Sequence, residues 1–195
     1  MAFTNFEAKE INCKIVYFGT HEAGKTENLR SILKATNPEL KNGLLQLDHP
    51  NRTEKLFDFL PLSLGRVQDY HIKLHLFSLP QPCLFESVAS VMLKGIDGFV
   101  FVADSRIEKL VENIEALKET ERLMQEEGIP LFDLPRVLQY NKRDLKDIVP
   151  VDILARELNH TNAPEKEAVA TQTVGTLETL ELLTRQILQR LAPQH

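Results

Sequence analysis

The sequence predicts an α/β fold, with one domain over residues 1–195 and a mainly parallel sheet of six to seven strands covered by helices on both faces. Three observations carry this expectation. Short apolar runs rich in β-formers alternate with segments of helical periodicity, the pattern of βαβ units. The chain shows no internal repeat, low-complexity tract or linker that would divide it. Its 195 residues, 43% hydrophobic and 26% charged, suit a single full core and exclude a disordered or collagen-like chain.

Cys13–Phe18 is a short apolar run ending at Gly19, as a buried strand would. After Lys25-Thr26, Leu29, Ile32 and Leu33 recur at helical spacing. His71–Phe77 alternates with period two, and Gly98–Asp104 is a continuous apolar strand with a polar residue at its C-terminal end. From about Ile107 to Gly128, Leu110, Ile114, Leu117 and Met124 mark a long amphipathic helix. Arg136–Tyr140 is another strand, followed by the polar turn Asn141-Lys142-Arg143-Asp144. Ala168–Ala170 reads as a weak last strand and Leu177–Leu191 as a closing helix. In parallel sheets of this kind, ligands bind beyond the carboxyl ends of the strands, where the polar motifs of this chain fall.

Gly19-Thr20-His21-Glu22-Ala23-Gly24-Lys25-Thr26 fits G-x-x-x-x-G-K-[ST] between a strand and a helix, the pattern of a P-loop NTPase. Such a loop turns backbone N–H groups inward, and the helix adds its positive end, so together they cradle phosphate. Gly19, Gly24, Lys25 and Thr26 are the phosphate-binding candidates. Lys25 would reach the β- and γ-phosphates, and the Thr26 hydroxyl would hold Mg²⁺. His21 and Glu22 sit less comfortably in a loop built for anions: either they project into solvent, or they interfere with binding.

Asn141-Lys142-Arg143-Asp144 follows a strand. An Asp carboxylate there accepts the N1–H and exocyclic amine of guanine, a donor pair that adenine lacks. The Lys142 stem can cover the base plane. Asn141, Lys142 and Asp144 are therefore the guanine-binding candidates.

With both motifs present, the chain resembles the Ras-like small GTPases, and within them the bacterial MglA group, which sets polarity for gliding and related motility. The resemblance covers almost the whole chain, through Asn5–Asn12, Gly24-Lys25-Thr26, Leu56–Leu62, Lys94–Gly98, Asn141–Asp144 and Glu167–Thr171. It implies a Ras-like G domain binding GTP or GDP with Mg²⁺, and places the Ala170 N–H against guanine O6. It also implies a roadblock-domain, MglB-like partner that accelerates hydrolysis, effectors that recognise the GTP form, and concentration at a cell pole, the cytoplasmic setting being expected from the two cysteines alone.

The departures from that family gather in the two segments that sense the γ-phosphate. Family members read Thr-x-Pro-Gly-Gln after the third strand; this chain reads Ser78-Leu79-Pro80-Gln81-Pro82. Pro82 stands in place of the water-positioning Gln and has neither an amide N–H nor a polar side chain. Ahead of Leu56-Phe57-Asp58, Arg52 and Thr53 are displaced one position toward the N-terminus, with Glu54 where the family carries Thr. Arg52 and Gln81 remain the catalytic candidates, and Thr53 joins Thr26 as a Mg²⁺ candidate. Hydrolysis in this chemistry is mostly positioning and electrostatics, so the expected result is slow or absent turnover. The alternatives are a conventional switch completed by the roadblock partner, a nucleotide-free scaffold, and a P-loop kinase or other ATPase. The last finds no lid-like basic segment and conflicts with the guanine motif.

A net charge of −5 argues against a nucleic-acid partner. No apolar run is long enough to span a membrane, and the sequence shows no lipidation motif, so no direct membrane anchor is expected. With only Cys13 and Cys83, no disulfide framework is expected. His71 and His75 would lie about 13 Å apart on one strand face, too far to share a metal ion.

Overall fold

The structure, a computed structural model, describes residues 3–5, 8–36, 43–48, 55–67, 69–80 and 86–191. In chain order the elements are β1 (Phe3–Asn5), β2 (Glu10–Phe18), α1 (Lys25–Ala35), β3 (Leu45–Asp48), β4 (Lys55–Val67), β5 (Tyr70–Ser78) and α2 (Glu86–Leu93). They continue with β6 (Gly98–Asp104), α3 (Leu110–Glu126), β7 (Arg136–Asn141), α4 (Val151–Leu158), β8 (Glu165–Glu167) and α5 (Thr176–Leu191). The sheet runs β3-β4-β5-β2-β6-β7-β8, and the short β1 pairs antiparallel with β2. The β2–β5, β2–β6, β6–β7 and β7–β8 pairs are parallel, whereas β3–β4 and β4–β5 are antiparallel.

The period of two along β2 separates two cores. Cys13, Ile15 and Tyr17 face one side with Leu29 and Ile32 of α1 and Leu180, Leu183 and Ile187 of α5. Val16 and Phe18 face the other with Leu93 of α2, Leu117 and Met124 of α3, and Leu154 and Leu158 of α4. β6 is covered on both faces and all seven of its residues are buried, which is why it reads as an unbroken apolar run. All four residues of β3, at the sheet edge, are exposed.

β3 and β4 are strands that the sequence reading did not assign. Pro61 obscures β4, because proline argues against a central strand. It lies beyond Leu45↔Phe59, the last β3–β4 partner pair, so its missing N–H breaks no rung to β3. The expected strand at Ala168–Ala170 is corrected by the structure. The strand is Glu165–Glu167, and Ala170–Gln172 is a 3-10 turn. Ala168 still bonds the Tyr140 carbonyl and the Arg143 N–H, but the Val169↔Val174 bridge then folds the segment back before α5, so no regular strand runs on to Ala170. The expected helix from Ile107 begins as a 3-10 turn over Ile107–Lys109 and continues as α3 to Glu126, just before Gly128 at φ +67°.

Candidate functional site

The carboxyl ends of β2, β6 and β7 bring the sequence-predicted loops together. Gly19, at φ +139°, follows β2 beside Val102 of β6; a Cβ there would collide with the Val102 carbonyl oxygen. Gly24, at φ +101°, caps α1 without a side-chain bond, and a Cβ there would strike the Asn141 side-chain nitrogen. Both positions therefore need glycine for conformation and for space. The first turn of α1 has backbone N–H groups without helical acceptors, beside this bare loop. The Thr20 hydroxyl is buried with no partner among the described residues.

The Lys25 side chain is buried and folds back over the loop, donating to the carbonyl oxygens of Gly19 at 2.8 Å and Thr20 at 2.6 Å. Burial pulls its pKa down to about 7, with Lys55 adding to the shift and Asp58 opposing it. His21 and Glu22 lie 3.8 Å apart with side chains 76% and 70% exposed, so both project outward. The result is a bare loop at the head of a helix with a lysine folded over it, an arrangement that can receive an anion.

Asn141 joins the cradle to the opposite end. Its Nδ2 donates to the Ala23 carbonyl at 2.8 Å, and its Oδ1 accepts the Ala170 N–H at 3.0 Å. One buried side chain thus ties the loop after β2 to the turn after β8. In this form the Ala170 N–H is taken by Asn141. Beneath the loop, Asn28 and Gln139 exchange amide bonds at 2.8 and 2.9 Å, and Gln139 also donates to Thr179 of α5. Every heavy polar atom of this pair is buried and bonded, which fixes the level of α1 against β7.

Two carboxylates complete the arrangement. Asp104, at the end of β6, accepts from Arg106 and from the Lys142 Nζ at 2.8 Å. Burial pushes its carboxyl pKa up, but the bonds from Arg106 and Lys142 outweigh that and hold it below the ordinary value. Lys142, at φ +65°, is thereby anchored with its stem beside the turn. Asp144 is exposed and bonds to none of the described residues, leaving its carboxylate open to a ligand. Arg143 secures the turn through the Glu167 carboxylate and the Val149 carbonyl, both at 2.8 Å.

Asp58 is fully buried on β4. Its Oδ2 accepts the Thr26 hydroxyl at 2.5 Å and the Ser78 hydroxyl at 2.7 Å. Its Oδ1 accepts Gln46 and the Lys55 ammonium, each at 2.9 Å. Burial raises this carboxyl pKa, but the four donors together hold it below the usual range. Sequence reasoning passed over Asp58 and Lys55; the available signal was a lone acid inside the apolar run Leu56–Leu62. The Thr26 hydroxyl, expected on Mg²⁺, is here the donor to Asp58. Oxygen ligands of the right kind are present, but the carboxylate already carries a full set of donors, one of them a cation. As it stands, the set does not fit a divalent ion.

Arg52, Thr53 and Gln81, together with Glu54, Pro82 and Cys83, lie outside the described residues. No helix among the described residues is long and apolar enough to cross a membrane. A hollow of about 610 Å³ lined by Leu62, Leu64, Leu177, Leu180 and Leu188 includes none of the residues of the polar motifs.

No family model matches the chain. It is, however, 42% identical over 191 residues to the mutual gliding-motility protein MglA of Myxococcus xanthus, strain DK1622, covering 98% of each chain. The chain belongs to the MglA family of Ras-like small GTPases.

Proposed function

We propose that residues 1–195 act as one guanine-nucleotide-binding domain that regulates cell polarity or motility through protein partners, with slow or absent intrinsic GTP hydrolysis. The observation that carries this reading is Asn141, which ties the loop after β2 to the turn after β8 in one hydrogen-bonded unit. A protein that had abandoned nucleotide would have no use for a bare loop, a lysine buried in it and an open Asp144.

In this reading Gly19, Gly24, Lys25 and Thr26 hold the phosphates of GTP or GDP. Asn141, Lys142, Asp144 and Ala170 hold guanine, the Ala170 N–H passing from Asn141 to the base. Mg²⁺, expected on Thr26 and Thr53, meets at Thr26 the donor-filled Asp58. Slow hydrolysis follows from Pro82, which cannot orient a water, and from the displaced Arg52. The partners are a roadblock-domain, MglB-like protein and polarity effectors, and the place of action is the cytoplasm, concentrated at a cell pole. The relative's name, mutual gliding-motility protein, supports the process.

Titration with fluorescent GDP, with ATP as competitor, tests the binding claim, and Lys25→Ala should abolish binding. Unchanged binding in that variant, or displacement by ATP, refutes the site assignment. Single-turnover hydrolysis with and without a roadblock-type partner tests the second claim, for which the expected result is little turnover in either case.

A further inference from the structure

Asp58 is saturated. A carboxylate offers about four lone-pair sites. Thr26 and Ser78 take two at one oxygen, and Gln46 and Lys55 take two at the other. These donors come from α1, β5, β3 and β4, so the whole edge of the sheet converges on one buried acid. The acid bonds directly to the P-loop threonine, the position where P-loop NTPases gather a metal between a hydroxyl and an acid. Here the only cation at that acid among the described residues is the Lys55 ammonium, 2.9 Å away, on a side chain one-third exposed. An ammonium has three N–H donors, so those not used at Asp58 remain for an anion. Lys55 also acts electrostatically on Lys25 at the loop.

We infer that Lys55 is a tethered cation that takes the place of the divalent metal beside Thr26 and Asp58, so that nucleotide binding by this chain does not depend on Mg²⁺. The inference rests on the guanine-nucleotide reading above. A point charge on a flexible stem suits this task, because it follows the phosphate without demanding octahedral geometry. A divalent ion would have to displace Lys55 or one of the three neutral donors from Asp58.

The test is the affinity of the full chain for fluorescent GDP in excess Mg²⁺ and in excess EDTA, for the native protein, Lys55→Leu and Lys55→Arg. The native affinity should change less than about threefold between the two buffers. Lys55→Leu should lose roughly tenfold or more in EDTA and recover in Mg²⁺, and Lys55→Arg, which keeps the charge, should behave like the native chain. A native protein that loses tenfold or more in EDTA overturns the inference, as does a Leu variant as indifferent to Mg²⁺ as the native chain. Absence of binding in both buffers overturns instead the nucleotide reading beneath it.

Discussion

Replacing Asn141 by alanine removes a side chain that spans the two loops, and the consequence can be worked from its partners. Asn141 is 2% exposed, and its bonds end on the carbonyl of Ala23 and the N–H of Ala170, which are 0% and 3% exposed. Truncation leaves both backbone groups buried without their partner. Each such group costs about 1–3 kcal/mol, so Asn141→Ala should destabilise the nucleotide-free protein by about 2–6 kcal/mol. At roughly 2–4 °C per kcal/mol for a domain of this size, the melting temperature should fall by roughly 4–24 °C. Thermal unfolding followed by circular dichroism, on protein stripped of nucleotide, reads this directly. Asn141→Asp separates the two bonds, because it keeps an acceptor for Ala170 but sets an oxygen against the Ala23 carbonyl. A fall of less than about 2 °C in the alanine variant would mean that the loops are held together by something else.

Lys25 makes nucleotide affinity depend on pH. Its pKa of about 7 in the free protein lies below the ordinary lysine value of 10.5, and phosphate must raise it, so binding takes up a proton above pH 7. Affinity should therefore fall by up to about tenfold per pH unit above pH 7 and be flat below it; a flat profile to pH 9 contradicts the buried lysine. The same group holds the nucleotide-free protein back most fully below pH 7, and that cost is relieved as pH rises toward 10.5, so its contribution to stability should rise with alkalinity. Gln81→Gly combined with Pro82→Gln should raise single-turnover hydrolysis. No gain from the pair would move the defect to the segment around Arg52 and Glu54.

The elements legible in the sequence are those whose burial is uniform or strictly alternating. β6 is apolar throughout because both of its faces are covered, and β2 ends at a glycine that the fold requires. α5 and α3 declare themselves by helical spacing. β4 was hidden because its pattern mixes a proline, a bulge near Gly65 and a buried acid, each of which makes sense only beside β3 and β5. β8 is three polar residues at a sheet edge, so apolar patterning points three residues too late, to Ala168–Ala170. In the site, the glycines, Lys25 and the Asn141 turn were visible as motifs with fixed spacing. The role of Asn141 as a tie was not, since its partners are backbone groups far away in the chain. Asp58 and Lys55 were missed for a related reason: a salt bridge between β4 residues gains meaning only when α1, β3 and β5 close around it.

The most direct test of the account is the identity and amount of nucleotide released when the purified protein is denatured. Guanine nucleotide is expected near one per chain, with GTP rather than GDP retained because hydrolysis is slow. GDP alone would contradict slow hydrolysis. Adenine nucleotide, or no nucleotide together with no binding of added GTP, would contradict the guanine site itself.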